Sequence, residues 1–280
     1  MISKEKLKNI KLIVSDMDGT LLNGSNEIGI ESQKLIKALV AKGMRFTFAT
    51  GRLHSAVVDH AKLLGLKTPL ITLDGAIIKT LSDEIIYESY IPKKYVKKAI
   101  KFADFYLLNI GLCHANAIYY TDHSPLVPQL LDKFGATYIE IDSFDGLLDE
   151  TLEIVLASDY KASVKNVEKK MTFPSAFGLN TSFYKSHRRN DTYFLEVRKH
   201  GASKGKGLIR LLKKLKINIE DVAVMGDWHN DRSLFETKAV KVAVENAVSE
   251  IKYLADFTTS KSNHEDGVAE FLEMVLKAKE

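Results

Sequence analysis

Continuous apolar runs alternate with amphipathic segments along the first part of the chain, and this alternation limits the possible folds more than any other feature. "IKLIVSD" (residues 10–16) is apolar on both faces, as a strand buried between two layers must be. It is followed by "ESQKLIKALVAKG", with Leu35, Ile36, Leu39 and Val40 at helical spacing and Gly43 as a stop signal. "RFTFAT" then predicts a second strand, "HSAVVDHAKLLGL" a second helix and "PLITLDGA" a third strand. Right-handed crossovers between such units build a doubly wound, Rossmann-like parallel sheet, so the fold class is α/β.

After Gly75 the pattern changes. "AIIKT" and "EIIYES" flank a Ser82-Asp83 turn and predict a hairpin, followed by a helix over about 92–107 and the strands "NIGLCHA" and "AIYYT". "TYIEI", "EIVLAS", a helix near 160–171 and "FGLNTSFY" continue a mixed α+β pattern. From "TYFLEV" the strand–helix alternation resumes with "SKGKGLIRLLKKLK", "DVAVMGD", "NDRSLFETKA", "VKVAVENA" and the terminal "HEDGVAEFLEMVLKAKE". The expected organisation is a discontinuous core, residues 1–81 and 191–280, carrying an inserted α+β domain at 82–190. A chain of 280 residues accommodates both.

Several function classes are disfavoured. Cys113 is the single cysteine, so neither an internal disulfide nor a Cys-rich metal site is available, which favours a reducing compartment and a cytoplasmic location. No run of apolar residues is long enough for a membrane span, and the apolar segment before Asp16 is too short for a secretory signal. Forty basic residues stand against 36 acidic ones, spread along the chain, which argues against nucleic acid as a partner. The most basic stretch, "KKYVKKAIK" at 93–101, has Val96, Ala99 and Ile100 on its other side and predicts a solvated helix face. The expected partner is a small molecule, with no nucleic acid and no membrane, and the expected state a monomer or weak homodimer.

The acidic residues carry the chemistry. Ligands of open α/β sheets bind beyond the carboxyl ends of the strands, where Asp16 follows "KLIVS" and Asp227 follows "DVAVMG". With Asp18 and Asp231 nearby, these charges repel one another unless a cation neutralises them. Hard oxygen ligands without a Cys or His cluster point to Mg²⁺. A Ca²⁺ loop beginning at Asp16 fails because its sixth position is Leu21, where glycine is required. "GASKGKG" departs from the Walker spacing. A lone D-x-D-G-T is also compatible with a plain turn around Gly19.

Four segments taken in order, "DMDGT" (16–20), "ATGR" (49–52), "SKGKGL" (203–208) and "GDWHND" (226–231), resemble the motifs of the haloacid dehalogenase superfamily of phosphatases. More narrowly, the chain is similar to the Cof-type branch, whose large α/β cap is inserted between the second and third motifs. The resemblance implies a Mg²⁺-dependent phosphatase acting on small phosphorylated metabolites, sugar phosphates first. Asp16 would be the nucleophile that forms an aspartyl-phosphate, and Asp18 the general acid and then base. Thr50 and Lys204 would complete the catalytic set. Asp16, Gly19, Thr50, Gly51, Arg52, Lys204 and Asn230 would surround the phosphate. Asp16, Asp18 (through its backbone carbonyl) and Asp227 would hold the metal, with Asp231 behind them. The same resemblance allows a phosphomutase or phosphotransferase, in which a sugar hydroxyl accepts the phosphoryl group. A non-catalytic polyanion-binding module is the reading from another class, and the complete acidic set argues against it.

Individual positions keep a plainer alternative. Thr50 is also placed to cap the next helix, Lys204 to be a solvated helix lysine, and Arg52 to be either a rim or a surface arginine. His54, His60 and His229 lack metal-ligand spacing and are expected at the surface. Asp74-Gly75 stands where related sequences usually carry asparagine-glycine, and Trp228 is unusual within "GDWHND", where packing against the sheet is expected. Glu245 precedes Asn246-Ala247 and adds a charge near another strand end. "HRR" at 187–189 suits either an anionic substrate or an exposed turn.

Overall fold

The computed structural model describes residues 2–130, 136–186 and 191–280, so the "HRR" run lies outside the described residues. The chain divides into two compact units. One comprises the chain through Gly51 together with Val57–Tyr87 and Ser203–Glu280; the other comprises Arg52–Ala56 and Glu88–Ala202.

In the first unit, β1 (Leu12–Ser15) and β2 (Arg45–Phe48) run parallel, with Leu12 opposite Arg45 and Ser15 opposite Phe48. The helix Ile30–Ala41 makes the crossover and buries Ser32, Ile36 and Leu39. A three-stranded sheet follows in the order β3 (Leu70–Thr72), β4 (Ile77–Lys79), β5 (Ile85–Glu88), and a parallel bridge between Ala49 and Ile71 links it to the end of β2.

The second unit holds β6 (Asn109–Cys113), β7 (Ala117–Tyr120), β8 (Thr137–Glu140), β9 (Glu153–Ser158), β10 (Leu179–Lys185) and β11 (Tyr193–Lys199). They form one sheet in the order β10-β11-β9-β6-β7-β8, antiparallel except for the pair β7–β8. The helices Lys93–Tyr106 and Lys161–Met171 share a core with this sheet through Val96, Ala99, Val164 and Val167 against Ile110, Leu156 and Leu195. Lys94, Lys97 and Lys101 are exposed while Tyr95, Val96 and Ala99 are buried, so the basic stretch forms the outer face of an amphipathic helix.

Returning to the first unit, β12 (Val222–Gly226), β13 (Val240–Ala243) and β14 (Phe257–Thr258) complete an all-parallel sheet in the order β14-β13-β12-β1-β2. The central strands β1 and β12 are buried along their whole length, as their uninterrupted apolar sequence requires. Truncating a core residue such as Leu12 or Phe46 to alanine would cost about 2–5 kcal/mol.

Two strands lie elsewhere than the sequence suggests. "EIIYES" (β5) joins the sheet of β3 and β4 in the first unit. "TYFLEV" (β11) does not resume the parallel core; it pairs antiparallel with both β9 and β10. β5 forms the expected hairpin with β4 and so stays with the sheet of β3, whereas β11 is drawn into the second sheet by its pairing with the distant β9.

Candidate active site

Asp16 and Asp227 sit side by side because their strands do. Ser15 lies opposite Met225 in the β1–β12 ladder, and the Asp16 N–H still donates to the Met225 carbonyl at 3.0 Å, one step beyond β1. Asp227 follows the last residue of β12 directly. Both carboxylates are thereby delivered to the carboxyl edge of the parallel sheet.

The turn after β1 is held against Asp227. Gly19 has φ +80°, and a Cβ there would stand 2.4 Å from Asp227 Oδ2, so the backbone approaches as only glycine allows. Thr20 Oγ1 donates to Asp227 Oδ1 at 2.6 Å. The Asn246 side-chain amide donates to the Gly19 carbonyl at 2.7 Å, which gives "VENA" a positioning role in this turn.

Lys204 is fully buried and opens the helix Lys204–Leu215, whose N-cap Ser203 accepts from the Lys206 N–H. Its ammonium donates to Asp16 Oδ1 at 2.5 Å and to Asp231 Oδ1 at 2.6 Å. The solvated-lysine alternative therefore falls for Lys204 and holds for its exposed neighbour Lys206. The glycines of "SKGKGL" serve close packing. A Cβ on Gly205 would stand 2.0 Å from the Ser233 carbonyl oxygen, and one on Gly207 2.7 Å from Ile71 Cγ2. They let the helix settle deeply enough to bring Lys204 to the strand ends.

Asp231 is also fully buried, and its second oxygen accepts from the N–H groups of Asp227 and Trp228 at 2.9 and 3.1 Å. It fixes the loop carrying Asp227 while sharing Lys204 with Asp16. Ligand oxygens of Asp16, Asp227 and Asp231 all lie within 4.8 Å of one another. Asp18 is exposed and its carboxylate is outside this trio.

Burial dominates the electrostatics. It pushes the Asp16 carboxyl well above the usual carboxylate range; Lys204 opposes the rise, and Asp231, Asp227 and Asp18 add to it. Burial, reinforced by Asp231, pushes Asp227 up to about 7. For Lys204, burial alone would favour the neutral amine, but Asp16, Asp231 and Asp74 outweigh it and hold the ammonium above the ordinary lysine range. Two carboxylates thus share one ammonium with a third beside them, and protons are retained where charge is in excess. A hard divalent cation is the species such an oxygen-only donor set would take in exchange for those protons, so the residues fit Mg²⁺ in charge and ligand type.

Thr50 is buried just past β2; its N–H donates to the Ile71 carbonyl and its carbonyl accepts from the Asp74 N–H. It caps no helix, since the next one begins at Val58 after Val57. Asn230 reaches Asp74, its Nδ2 donating to Asp74 Oδ1 at 3.2 Å. Arg52 is buried within Arg52–Ala56, a segment that clusters with the second unit, and so is not a surface arginine. His54 lies in the same segment and is only 1% exposed, contrary to the surface location expected for it. His229 is exposed and pairs with Glu250 at 2.7 Å, as a surface histidine can. Trp228 is 41% exposed with its ring edge-on to His229, rather than packed against the sheet as expected. Thr20 and Asp74 are the neighbours that motif reasoning did not assign. The first lies within "DMDGT", and the second was visible only as a departure from asparagine.

A parallel sheet that brings buried carboxylates and a lysine together at its strand ends places a candidate catalytic site where α/β enzymes carry theirs. A family model described as haloacid dehalogenase-like hydrolase matches residues 13–272, and the chain belongs to that family, on its Cof-type phosphatase branch. Phosphatase YwpJ of Bacillus subtilis strain 168 is 28% identical over 290 residues, covering 95% of this chain and 100% of that protein. The 5-amino-6-(5-phospho-D-ribitylamino)uracil phosphatase YwtE of the same organism is 28% identical over 296 residues, covering 95% and 98%. A solved haloacid dehalogenase-like hydrolase from Bacteroides thetaiotaomicron superposes with a TM-score of 0.83 at 27% identity, covering 95% of this chain and 99% of that one.

Proposed function

We propose that this protein is a Mg²⁺-dependent phosphatase that hydrolyses small phosphorylated metabolites, sugar and sugar-alcohol phosphates foremost, through an aspartyl-phosphate on Asp16. The observation that carries this reading is the buried Asp16–Lys204–Asp231 array beside Asp227 at the ends of adjacent strands. YwtE, named for a phosphoribityl substrate, supports the substrate class.

An Asp16 oxygen attacks phosphorus, a new P–O bond forms, and the bond to the ester oxygen breaks. Asp18 gives its proton to the departing alkoxide. It then takes a proton from water as that water attacks the phosphorus, releasing orthophosphate and restoring Asp16. Asp18's exposure suits a group that must meet both leaving group and water. Lys204 fixes the orientation of Asp16 and offers positive charge to the equatorial oxygens, with Thr50, Gly51 and Asn230 as further donors and Arg52 assigned to the same phosphate set. Asp16, Asp227 and the Asp18 carbonyl would hold Mg²⁺, with Asp231 ordering the loop behind them. When bound, the metal supplies charge that offsets the crowded carboxylates and polarises a phosphoryl oxygen.

The test is phosphate release across a panel of sugar and polyol phosphates, with and without Mg²⁺. Wild type should turn over in a Mg²⁺-dependent manner, and Asp16→Asn should lose more than about a thousandfold in rate. Release by Asp16→Asn at the wild-type rate would end the proposal.

A further inference from the structure

Asp74 is a further carboxylate, outside the buried trio, that neighbours groups assigned to the phosphate. It is buried, its backbone is left-handed at φ 47° and ψ 39°, and its N–H donates to the Thr50 carbonyl at 2.9 Å. Its Oδ1 accepts from Asn230 at 3.2 Å and faces Gly51, where a Cβ would stand 3.5 Å away. It also lies close enough to Lys204 to strengthen that residue's hold on its proton. Thr50, Gly51, Lys204 and Asn230, four of the residues proposed to surround the phosphate, therefore all neighbour Asp74. A phosphate site is ordinarily built from cations and hydrogen-bond donors, and a carboxylate inside the ring lowers the potential that an anion meets.

From this geometry we infer that Asp74 is a charge-tuning residue of the phosphate pocket: it weakens the binding of the phosphate dianion and so speeds release of orthophosphate after each turnover. The inference rests on the pocket proposed above. The Asn230 contact keeps the carboxylate aimed into the ring, and the left-handed backbone suits Asp or Asn with little strain.

That backbone makes Asp74→Asn the conservative test, because asparagine tolerates the conformation and its amide oxygen can still accept from Asn230, so the charge is removed while one acceptor oxygen becomes an NH2 donor. Orthophosphate binding is measured by titration calorimetry in Mg²⁺ for the full chain, Asp74→Asn and Lys204→Ala, with thermal melting to verify folding. Asp74→Asn should bind orthophosphate about tenfold more tightly. In phosphate-release assays it should show a correspondingly lower inhibition constant for product, with kcat falling and KM for the ester falling alongside it. Lys204→Ala should bind more weakly. Weakened binding in Lys204→Ala with unchanged or weaker binding in Asp74→Asn overturns the role of Asp74 and leaves the pocket standing. Unchanged binding in Lys204→Ala, or wild type that binds no orthophosphate, overturns the pocket and the inference with it.

Discussion

Each unit of the molecule buries carboxylates around a single cation, and the two arrangements are built differently. In the second unit, Arg198 donates from Nε to Glu153 at 2.6 Å and from a terminal nitrogen to Glu196 at 2.5 Å, while the Tyr184 hydroxyl donates to Glu196 at 2.9 Å. Glu153 and Arg198 are direct cross-strand partners in the β9–β11 register, and Glu196 lies two residues along β11 on the same face. Strand geometry fixes all three, and the planar fork of the guanidinium matches two carboxylates at once. In the first unit, Asp16 and Asp231 share the ammonium of Lys204 with Asp227 beside them, all from loops at the ends of strands, and Asp16 and Asp227 hold their protons unusually tightly. In one group a guanidinium fork fits two carboxylates within regular structure; in the other three carboxylates crowd near one ammonium at the sheet edge, where a ligand can complete the site.

The contrast is broken most decisively by removing the cation of the matched trio. Arg198→Met would remove the charge that Arg198 presents to the buried Glu153 and Glu196, and denaturant unfolding should report a loss of about 3–5 kcal/mol. Replacing all three residues together, with leucine at 153 and 196 and methionine at 198, should recover most of that loss, because a well-packed apolar trio avoids the desolvation cost. A loss below about 1 kcal/mol for the single variant would show that the second unit tolerates unbalanced charge as readily as the first.

The sequence made the strand-end trio legible for a physical reason. Continuous apolar runs mark parallel strands, and in such sheets the residue just beyond a strand is where a ligand is met, so Asp16 and Asp227 declared themselves. The matched trio was hidden because Glu153 and Arg198 are 45 positions apart and meet only through antiparallel register. A signal was nevertheless present in "YFLEVRK", where Glu196 and Arg198 alternate with Leu195 and Val197, the period of an antiparallel strand rather than of a core parallel one. The burial of Arg52 and His54 had no local signal, since it depends on a five-residue segment that clusters with the second unit. Asp74 entered the site through a left-handed turn that the glycine after it only hinted at.

The second test sharpens the contrast through pH. Asp227 is raised to about 7 from an ordinary carboxylate value, so the native state holds this proton more tightly than the unfolded chain does. Its contribution to the stability of the metal-free protein is fully present below the unfolded pKa and is lost as pH rises through about 7. Mg²⁺ must displace that proton, so the Asp227 share of the apparent affinity should climb by up to about tenfold per pH unit below 7 and level off above it, and the raised Asp16 carboxyl should steepen and extend the climb. Calorimetric titration from pH 5 to 8 measures this directly. An affinity flat across that range would mean that the strand-end carboxylates are as well matched as the trio on β9 and β11.

The smallest effect belongs to Thr20, whose hydroxyl donates to Asp227 Oδ1 at 2.6 Å and thereby favours the ionised form. Thr20→Val keeps the shape of the side chain and removes the donor. Losing a hydrogen bond to a charged group of this kind is worth about 1.5–3 kcal/mol at most, and part of it should surface as an upward move of the Asp227 titration by roughly one pH unit. The level region of Mg²⁺ affinity should then begin nearer pH 8, while the affinity reached there stays close to wild type because the charged ligands are all retained. If the variant instead loses affinity equally at every pH, Thr20 places the Asp227 carboxylate without tuning its charge. The Asp227 titration would then be governed by burial, Asp231, Lys204 and Asp16.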